Sequence, residues 1–137
     1  MLLNKQKGFT LLEIMIVVTI ISLLMGAAIY KLRGNVEIAR ITRVEADIQG
    51  IQTQLRLYES MNGFFPTSDQ GLQALVVQPE SDPKPSRWYQ LYSQLPKDPW
   101  QSDYIYRYPG IKHPTSYDLF SAGPDRKADT PDDVPND

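Results

Sequence analysis

The chain contains no cysteine, and this absence removes several kinds of chemistry at once. Disulfides, thiolate nucleophiles, iron–sulfur clusters and zinc sites built on cysteine are all excluded. Histidine is nearly as scarce, since His113 is the only one, and this leaves little room for histidine-based metal sites or catalysis. The 14 lysines and arginines are balanced by 16 aspartates and glutamates. Because nucleic-acid-binding proteins normally show a basic excess, no nucleic acid is expected as a partner.

Proline is missing from the first half of the chain, because all 11 prolines lie at Pro66 or later. Proline breaks helices, so the first half can be continuously helical and the second half cannot. Charge is also scarce in the run from Phe9 to Tyr30, where Glu13 is the only acidic or basic residue. A helix of about 22 residues rises roughly 33 Å, the thickness of a bilayer core. Residues 9–30 are therefore predicted to form a transmembrane helix.

Glu13 is the informative residue of this run. An ionised carboxylate inside a membrane costs several kcal/mol unless it is paired, so it indicates either a functional group or a glutamate that stays hydrated near the helix end. A short basic leader with Lys5 and Lys7 precedes Gly8, Phe9 and the apolar run. The leader, the glycine, the following Phe9 and a glutamate at the fifth position after the glycine together resemble the prepilin signature, which type IV pilins share with type II secretion pseudopilins.

This resemblance implies that residues 1–8 are a leader, removed by an inner-membrane prepilin peptidase that cuts between Gly8 and Phe9. The same enzyme would methylate the new amine of Phe9. The amino terminus would face the cytoplasm, an orientation that the positive charges on both sides of the run leave undecided. Residues 31–137 would then form a periplasmic head. In a filament, Glu13 of one subunit can neutralise the Phe9 amine of a neighbour, because two charges that are costly apart become tolerable as a pair.

Beyond the apolar run, hydrophobic residues recur every three or four positions, which predicts one apolar face of a helix. They are Ile41, Val44, Ile48, Ile51, Leu55 and Tyr58. We expect this face to contact the chain's own head, with a coiled-coil dimer as the alternative. Asn62 and Gly63 are expected to end the helix at about residue 62.

The second half of the chain predicts a small head of mixed structure. Thr67 and Gln70 have capping-box spacing and predict a short helix through about Val77. Alternating tyrosines over residues 104–108 predict a strand, and residues 117–120 predict the strand that returns beside it. Trp100, which follows an Asp-Pro turn, is expected to anchor the head. The expected fold class is α+β, with a long amino-terminal helix packed on a small carboxy-terminal antiparallel sheet.

Three segments of the head narrow the resemblance. Residues 68–75, 95–100 and 117–125 resemble the major pseudopilins of type II secretion, whereas type IV pilins usually close this region with a disulfide that the chain cannot form. The resemblance implies a structural subunit that forms a helical homo-oligomeric pseudopilus and drives the export of folded proteins. Minor pseudopilins and an inner-membrane assembly platform would be its further partners. A minor pseudopilin or a type IV pilin is the alternative.

Acidic residues cluster near the carboxy terminus, at Asp125, Asp129, Asp132 and Asp133. Loop carboxylates with carbonyls between them are ligands that calcium takes, although the EF-hand pattern is absent. Composition alone favours a solvated acidic tail. The resemblance instead implies one calcium ion held by Asp125, Asp132 and the backbone carbonyl of Ala122, with Asp129 and Asp133 as further candidate ligands. In this family glycine is usual where Arg126 and Asp129 stand.

Two other classes of function are compatible with an anchored head. An anchored enzyme would need a recognisable nucleophile, and none accompanies His113, which precedes Pro114 in a predicted turn. No catalysis is therefore expected. A passive tethered binding domain would be indifferent to the loss of Glu13, whereas a polymer subunit would not.

Overall fold

The structure, a computed structural model, describes residues 8–134. A long α-helix, α1 (Leu11–Asn62), precedes a 3-10 helix (Leu72–Leu75) and two short strands, β1 (Ile105–Arg107) and β2 (Asp118–Phe120). The chain divides into two compact units, of which the first ends at Ala39 and the second begins at Arg40. The described part of the first unit is almost entirely helix.

The helix of the first unit has the composition and length to cross a membrane. It contains an 18-residue window with a mean hydropathy of 2.5, and none of that window is buried by the protein. The hydroxyls of Thr19 and Ser22 donate to the carbonyl oxygens of Met15 and Val18, at 2.7 and 2.8 Å. These bonds satisfy the hydroxyls without water, as a bilayer interior requires. The prediction of a transmembrane helix agrees with these properties.

The second unit is organised around one face of α1. Five of the six residues of the predicted apolar face are at most 4% exposed, namely Val44, Ile48, Ile51, Leu55 and Tyr58, whereas Ile41 is 38% exposed. They form a core with residues of the head. The face therefore contacts the chain's own head, as predicted, and it is not available for a coiled-coil dimer.

The helix ends where the sequence predicts. Gly63 donates its amide to the carbonyl oxygen of Glu59 at 2.6 Å, and its φ of +83° lies in the left-handed region that favours glycine. The Asn62 side chain donates to the carbonyl oxygen of Tyr58 at 3.1 Å. Both bonds satisfy carbonyl groups that the end of a helix leaves unpaired.

The predicted short second helix does form, but as a 3-10 helix of four residues, Leu72–Leu75, that ends before Val77. The capping box does form, since Gln70 donates its amide to Thr67 Oγ1 and Thr67 donates its amide to Gln70 Oε1, each at 3.2 Å. The backbone then turns at Gly71, whose φ of 58° and ψ of −165° are not helical. Only the short 3-10 helix follows this turn. The cap therefore opens a turn rather than an α-helix.

The two predicted strands pair as an antiparallel hairpin. Tyr106 lies opposite Leu119 in the register, and both are buried. The Tyr104 hydroxyl donates to Asp47 Oδ2 on α1 at 2.8 Å, and the Tyr106 hydroxyl donates to the carbonyl oxygen of Pro66 at 2.7 Å. Burial, followed by the hydrogen bond to Asp47, raises the pKa of Tyr104 far above its usual range, so the hydroxyl remains a donor. The predicted α+β class is confirmed.

The anchoring role predicted for Trp100 is confirmed as well. Its side chain is 8% exposed and belongs to the core that α1 and the hairpin form. The Asp-Pro turn before it places the indole against the inner face of the head.

We predict that Leu55→Ala destabilises the head strongly, because Leu55 is fully buried and a leucine-to-alanine change in a core costs about 2–5 kcal/mol. Leu57→Ala is the matched control on the same helix, since Leu57 is 44% exposed. Denaturant unfolding of the full chain in detergent micelles, followed by tryptophan fluorescence, measures both. Equal losses of unfolding free energy in the two variants would contradict the assignment of the core face.

Candidate functional site

The predicted cleavage site lies before α1. Phe9 is 85% exposed, and the position of a Cβ on Gly8 has no atom within 4 Å. Among residues 8–134, nothing therefore covers the peptide bond between them. The leader residues before Gly8 lie outside the described part of the chain, so the predicted leader of residues 1–8 stays a prediction.

Glu13 forms a capping box with Thr10 at the start of α1. The amide and hydroxyl of Thr10 donate to Glu13 Oε2 at 2.8 and 3.2 Å, and the amide of Glu13 donates to Thr10 Oγ1 at 3.2 Å. Such reciprocal bonds satisfy amides that the first turn of a helix leaves unpaired. The Thr-x-x-Glu spacing signals this cap in the sequence, yet the prediction considered only the charge of Glu13.

The acidic residues near the carboxy terminus form a closed loop, residues 121–134. Its ends are joined by two backbone hydrogen bonds of 3.1 Å between Ser121 and Val134. Inside the loop, the amide of Asp125 lies 3.3 Å from Asp132 Oδ2. The Asp125 backbone thus lies beside the Asp132 carboxylate, whereas Asp125 Oδ1 accepts the amide of Lys127 at 2.8 Å.

Gly123, which follows Ala122, packs closely against the backbone of Asp132. The φ of Gly123 is +64°, and a Cβ on this residue would collide with the backbone carbonyl of Asp132. Ala122 itself is 4% exposed. Ala122 therefore lies in the segment that packs against the Asp132 backbone.

Asp129 and Asp133, the further candidate ligands, are engaged elsewhere. Asp129 accepts two hydrogen bonds of 2.9 Å from the guanidinium of Arg107, and these bonds hold the pKa of the Asp129 carboxyl below its usual value. Asp133 Oδ2 accepts the amides of Asp129 and Thr130 at 2.8 and 3.3 Å. Within residues 8–134, no three acidic or histidine side chains gather closely enough to hold a metal ion. A calcium ion here would depend on two carboxylates and backbone carbonyls.

Asp98 ties the loop to the core, a link that the sequence analysis missed. Its fully buried carboxylate accepts the amides of Trp100 and Ser102 at 3.0 and 2.7 Å and the hydroxyl of Ser121 at 2.7 Å. The Ser121 oxygen in turn accepts the amide of Gly123 at 3.2 Å. An aspartate before proline predicts the local turn, but no sequence signal points to a serine 23 positions away.

His113 has a structural partner. Its Nδ1 lies 3.0 Å from Asp118 Oδ1, and the Asp118 carboxylate also accepts the backbone amides of Ile111, Lys112 and His113 at 2.6–3.1 Å. Burial alone would raise the pKa of Asp118, but these hydrogen bonds outweigh it and lower the pKa. The pair closes the turn between the two strands.

Two comparisons with protein families cover nearly the whole chain. Residues 3–29 match the prokaryotic N-terminal methylation motif. Residues 31–136 match the family described as type II secretion system (T2SS), protein G. The chain belongs to the type II secretion system protein G family. The resemblance to major pseudopilins, drawn above from short segments, is thereby confirmed.

Relatives in this family are similar over their full length. The chain is 41% identical to the type II secretion system core protein G of Dickeya chrysanthemi, over 97% of this chain and 87% of the relative. It is equally similar to the core protein G of Escherichia coli K12, over 97% and 92%. The crystal structure of the major pseudopilin from the type 2 secretion system of enterohaemorrhagic Escherichia coli matches with a TM-score of 0.70 and 37% identity, over 77% of this chain and 92% of that one.

Together, these matches establish the general function of the chain. The chain is a structural subunit of the pseudopilus of a type II secretion system. The apolar helix and the methylation motif fit a single-pass protein of the inner membrane.

We predict that Gly123→Ala opens the acidic loop, because the new Cβ would meet the Asp132 backbone and the left-handed φ disfavours alanine. Gly63→Ala is the matched control, since Gly63 also has a positive φ but nothing lies within 4 Å of the Cβ position. The control should cost about 1–2 kcal/mol of unfolding free energy, and Gly123→Ala should cost more. Denaturant unfolding of both variants checks this, and equal losses would contradict the close packing of Gly123 against Asp132.

Proposed function

We propose that the chain is cut between Gly8 and Phe9 by a prepilin peptidase, is methylated at Phe9, and then polymerises into a helical homo-oligomer. The amino terminus faces the cytoplasm and the head lies in the periplasm, where an inner-membrane assembly platform and minor pseudopilins take part in assembly. The observation that carries the proposal is the amino-terminal apolar segment of α1, which the protein leaves exposed and whose first turn presents Glu13 four residues after Phe9. No catalysis is involved in this role, and His113 serves the turn that Asp118 closes.

The capping geometry supports an intermolecular role for Glu13. Both hydrogen bonds that Thr10 donates go to Glu13 Oε2, so within residues 8–134 the other oxygen, Oε1, is open to a cation. After cleavage, the new amine of Phe9 is such a cation. The cap fixes the carboxylate at the helix start, and the pairing of this carboxylate with a neighbour's amine favours a staggered assembly, since it removes two costly charges from the membrane together.

We predict that Glu13→Gln inserts normally but assembles poorly. Glutamine also serves in a capping box, so this variant keeps the helix start and loses only the charge. Glu13→Leu loses both the charge and the cap, and the comparison separates the two contributions. Electron microscopy of filaments from cells that overproduce the chain together with its secretion system measures assembly. Mass spectrometry of the membrane form should show a methylated Phe9 terminus in each variant.

Two outcomes would contradict this scheme at different points. Undiminished filaments with Glu13→Gln would remove the ion pair from the assembly mechanism. An intact Met1 terminus in the unmutated chain, with the peptidase present, would overturn the proposed processing.

We further propose that the acidic loop binds one calcium ion through Asp125, Asp132 and the carbonyl of Ala122. Supporting this proposal, the backbone amide of Asp125 lies beside the Asp132 carboxylate within a loop whose ends are joined, and Gly123 packs against the Asp132 backbone. Carboxylate and carbonyl oxygens suit calcium, which tolerates irregular geometry. A bound calcium ion would neutralise the two carboxylates and cross-link both sides of the loop. Asp129 would act as a ligand only after leaving Arg107.

We predict that the chain melts at a higher temperature in calcium than in chelator. An ion that binds only the folded state stabilises it by about 2.7 kcal/mol at a hundredfold excess over Kd, which raises the melting temperature by several degrees for a domain of this size. Asp125→Ala or Asp132→Ala should abolish most of the difference, whereas Asp69→Ala, an exposed aspartate outside the loop, should not. Magnesium should substitute poorly. Melting that ignores millimolar calcium would leave the loop as a solvated acidic segment.

A further inference from the structure

Arg107 makes the one ion pair described between the hairpin and the acidic loop. Its Nη1 and Nη2 donate to Asp129 Oδ1 and Oδ2, both at 2.9 Å. This parallel fork is the strongest geometry that a guanidinium and a carboxylate adopt. Arg107 comes from β1, so the bond joins the loop to the sheet.

The guanidinium of Arg107 has a second contact besides Asp129. It lies over the ring of Phe120, on the adjacent strand, at 5.2 Å from the ring centroid. Its side chain is 27% exposed, against 67% for Asp129. Many surface ion pairs contribute nothing measurable, because two mobile side chains lose freedom when they pair. Here one partner is already ordered by stacking, so less freedom is lost.

Asp129 and Thr130 make further hydrogen bonds within the loop. The amide of Asp129 donates to Asp133 Oδ2 at 2.8 Å. The hydroxyl of the next residue, Thr130, lies 3.0 Å from Asp132 Oδ1 and 3.1 Å from the carbonyl oxygen of Lys127. The ion pair therefore fixes the residue from which hydrogen bonds lead to Asp132.

Two residues of the loop have a backbone conformation that must be stabilised by their surroundings. Arg126 and Asp129 have φ values of 57° and 65°, and residues other than glycine rarely adopt this left-handed conformation. The conformation therefore persists only where the surroundings impose it. The Arg107 fork is such a constraint at Asp129.

We propose that Arg107 is a positioning residue that holds the acidic loop closed without a bound ion. The loop is the one that the proposed function assigns to calcium, but the clamp acts in the absence of the metal. It follows that the loop keeps the Asp132 carboxylate beside the Asp125 backbone before an ion arrives.

Trypsin provides a direct test, because Arg126 and Lys127 are exposed within the loop. The full chain in detergent micelles is treated with trypsin in chelator, and mass spectrometry follows release of the peptide that begins at Lys127 or Ala128. Cleavage after Arg87, an exposed residue in another loop, serves as the internal reference. Arg107→Met and Asp129→Asn should each accelerate loop cleavage about tenfold relative to this reference, because local opening exposes the bond.

Three further variants make the test specific. Arg107→Lys keeps the charge without the fork and should lie between the wild type and Arg107→Met. Lys112→Met removes a nearby exposed cation that makes no such fork and should leave cleavage unchanged. The double variant Arg107→Met/Asp129→Asn should be cleaved no faster than either single variant, because the two residues act as one pair.

The clamp is overturned if neither single variant accelerates loop cleavage in chelator, or if their effects multiply in the double variant. It is also overturned if Lys112→Met matches Arg107→Met, since net charge would then explain the result. The calcium proposal is judged separately, by whether adding calcium to the same variants slows loop cleavage. If the loop resists trypsin in chelator and calcium does not change its cleavage, the result supports the clamp and contradicts the calcium proposal.

Discussion

The burial of one face of α1 is the interaction on which the rest of the head depends. Two strands of three residues each do not form a stable sheet alone in water. They persist because Leu119 and the tyrosines of the hairpin pack against Ile51, Leu55 and their neighbours. The hydroxyl of Tyr104 adds a directional bond to Asp47 on the helix. Since every other element of the head is a loop or a single helical turn, this contact determines where each of them lies.

The same helix serves two environments, and the change is visible in its pattern of side chains. Up to about Tyr30 apolar residues occur on all sides, and none of the apolar window is buried by the protein. From Val44 onward apolar residues fall on one face, and that face is covered by the head. An apolar surface without protein cover needs a membrane or neighbouring subunits. A structural subunit of a pseudopilus has both available, whereas a passive tethered domain needs only the membrane.

The features that the sequence predicted correctly are those specified by local spacing. The apolar face of α1, the stop at Gly63, the capping box at Thr67 and each of the two strands follow from the spacing of residues within one continuous segment. The failures involve partners far apart in the chain. Gln70 is held by Ser81 and Pro83 as well as by its cap, and Gly71 turns the backbone, so only a short 3-10 helix follows. Asp129 was predicted as a candidate ligand, but its carboxylate pairs with Arg107, 22 positions away. The cap made by Thr10 and Glu13 was local and could have been predicted.

The two sides of the acidic loop are held by different means. The entry side is bound to the core through Ser121 and the buried Asp98, which also fixes the turn before Trp100. The return side is bound to β1 through Asp129 and Arg107. Neither tie reaches the carboxylates of Asp125 and Asp132 directly: Asp125 Oδ1 accepts the amide of Lys127, and Asp132 Oδ2 lies 3.3 Å from the amide of Asp125. The ion pair and the buried aspartate therefore hold the two sides of the loop, and the proposed calcium ion would act on the carboxylates between them. On this division an ion would add stability to a loop already formed, and its loss would weaken the loop without dismantling the head, whose core lies on α1.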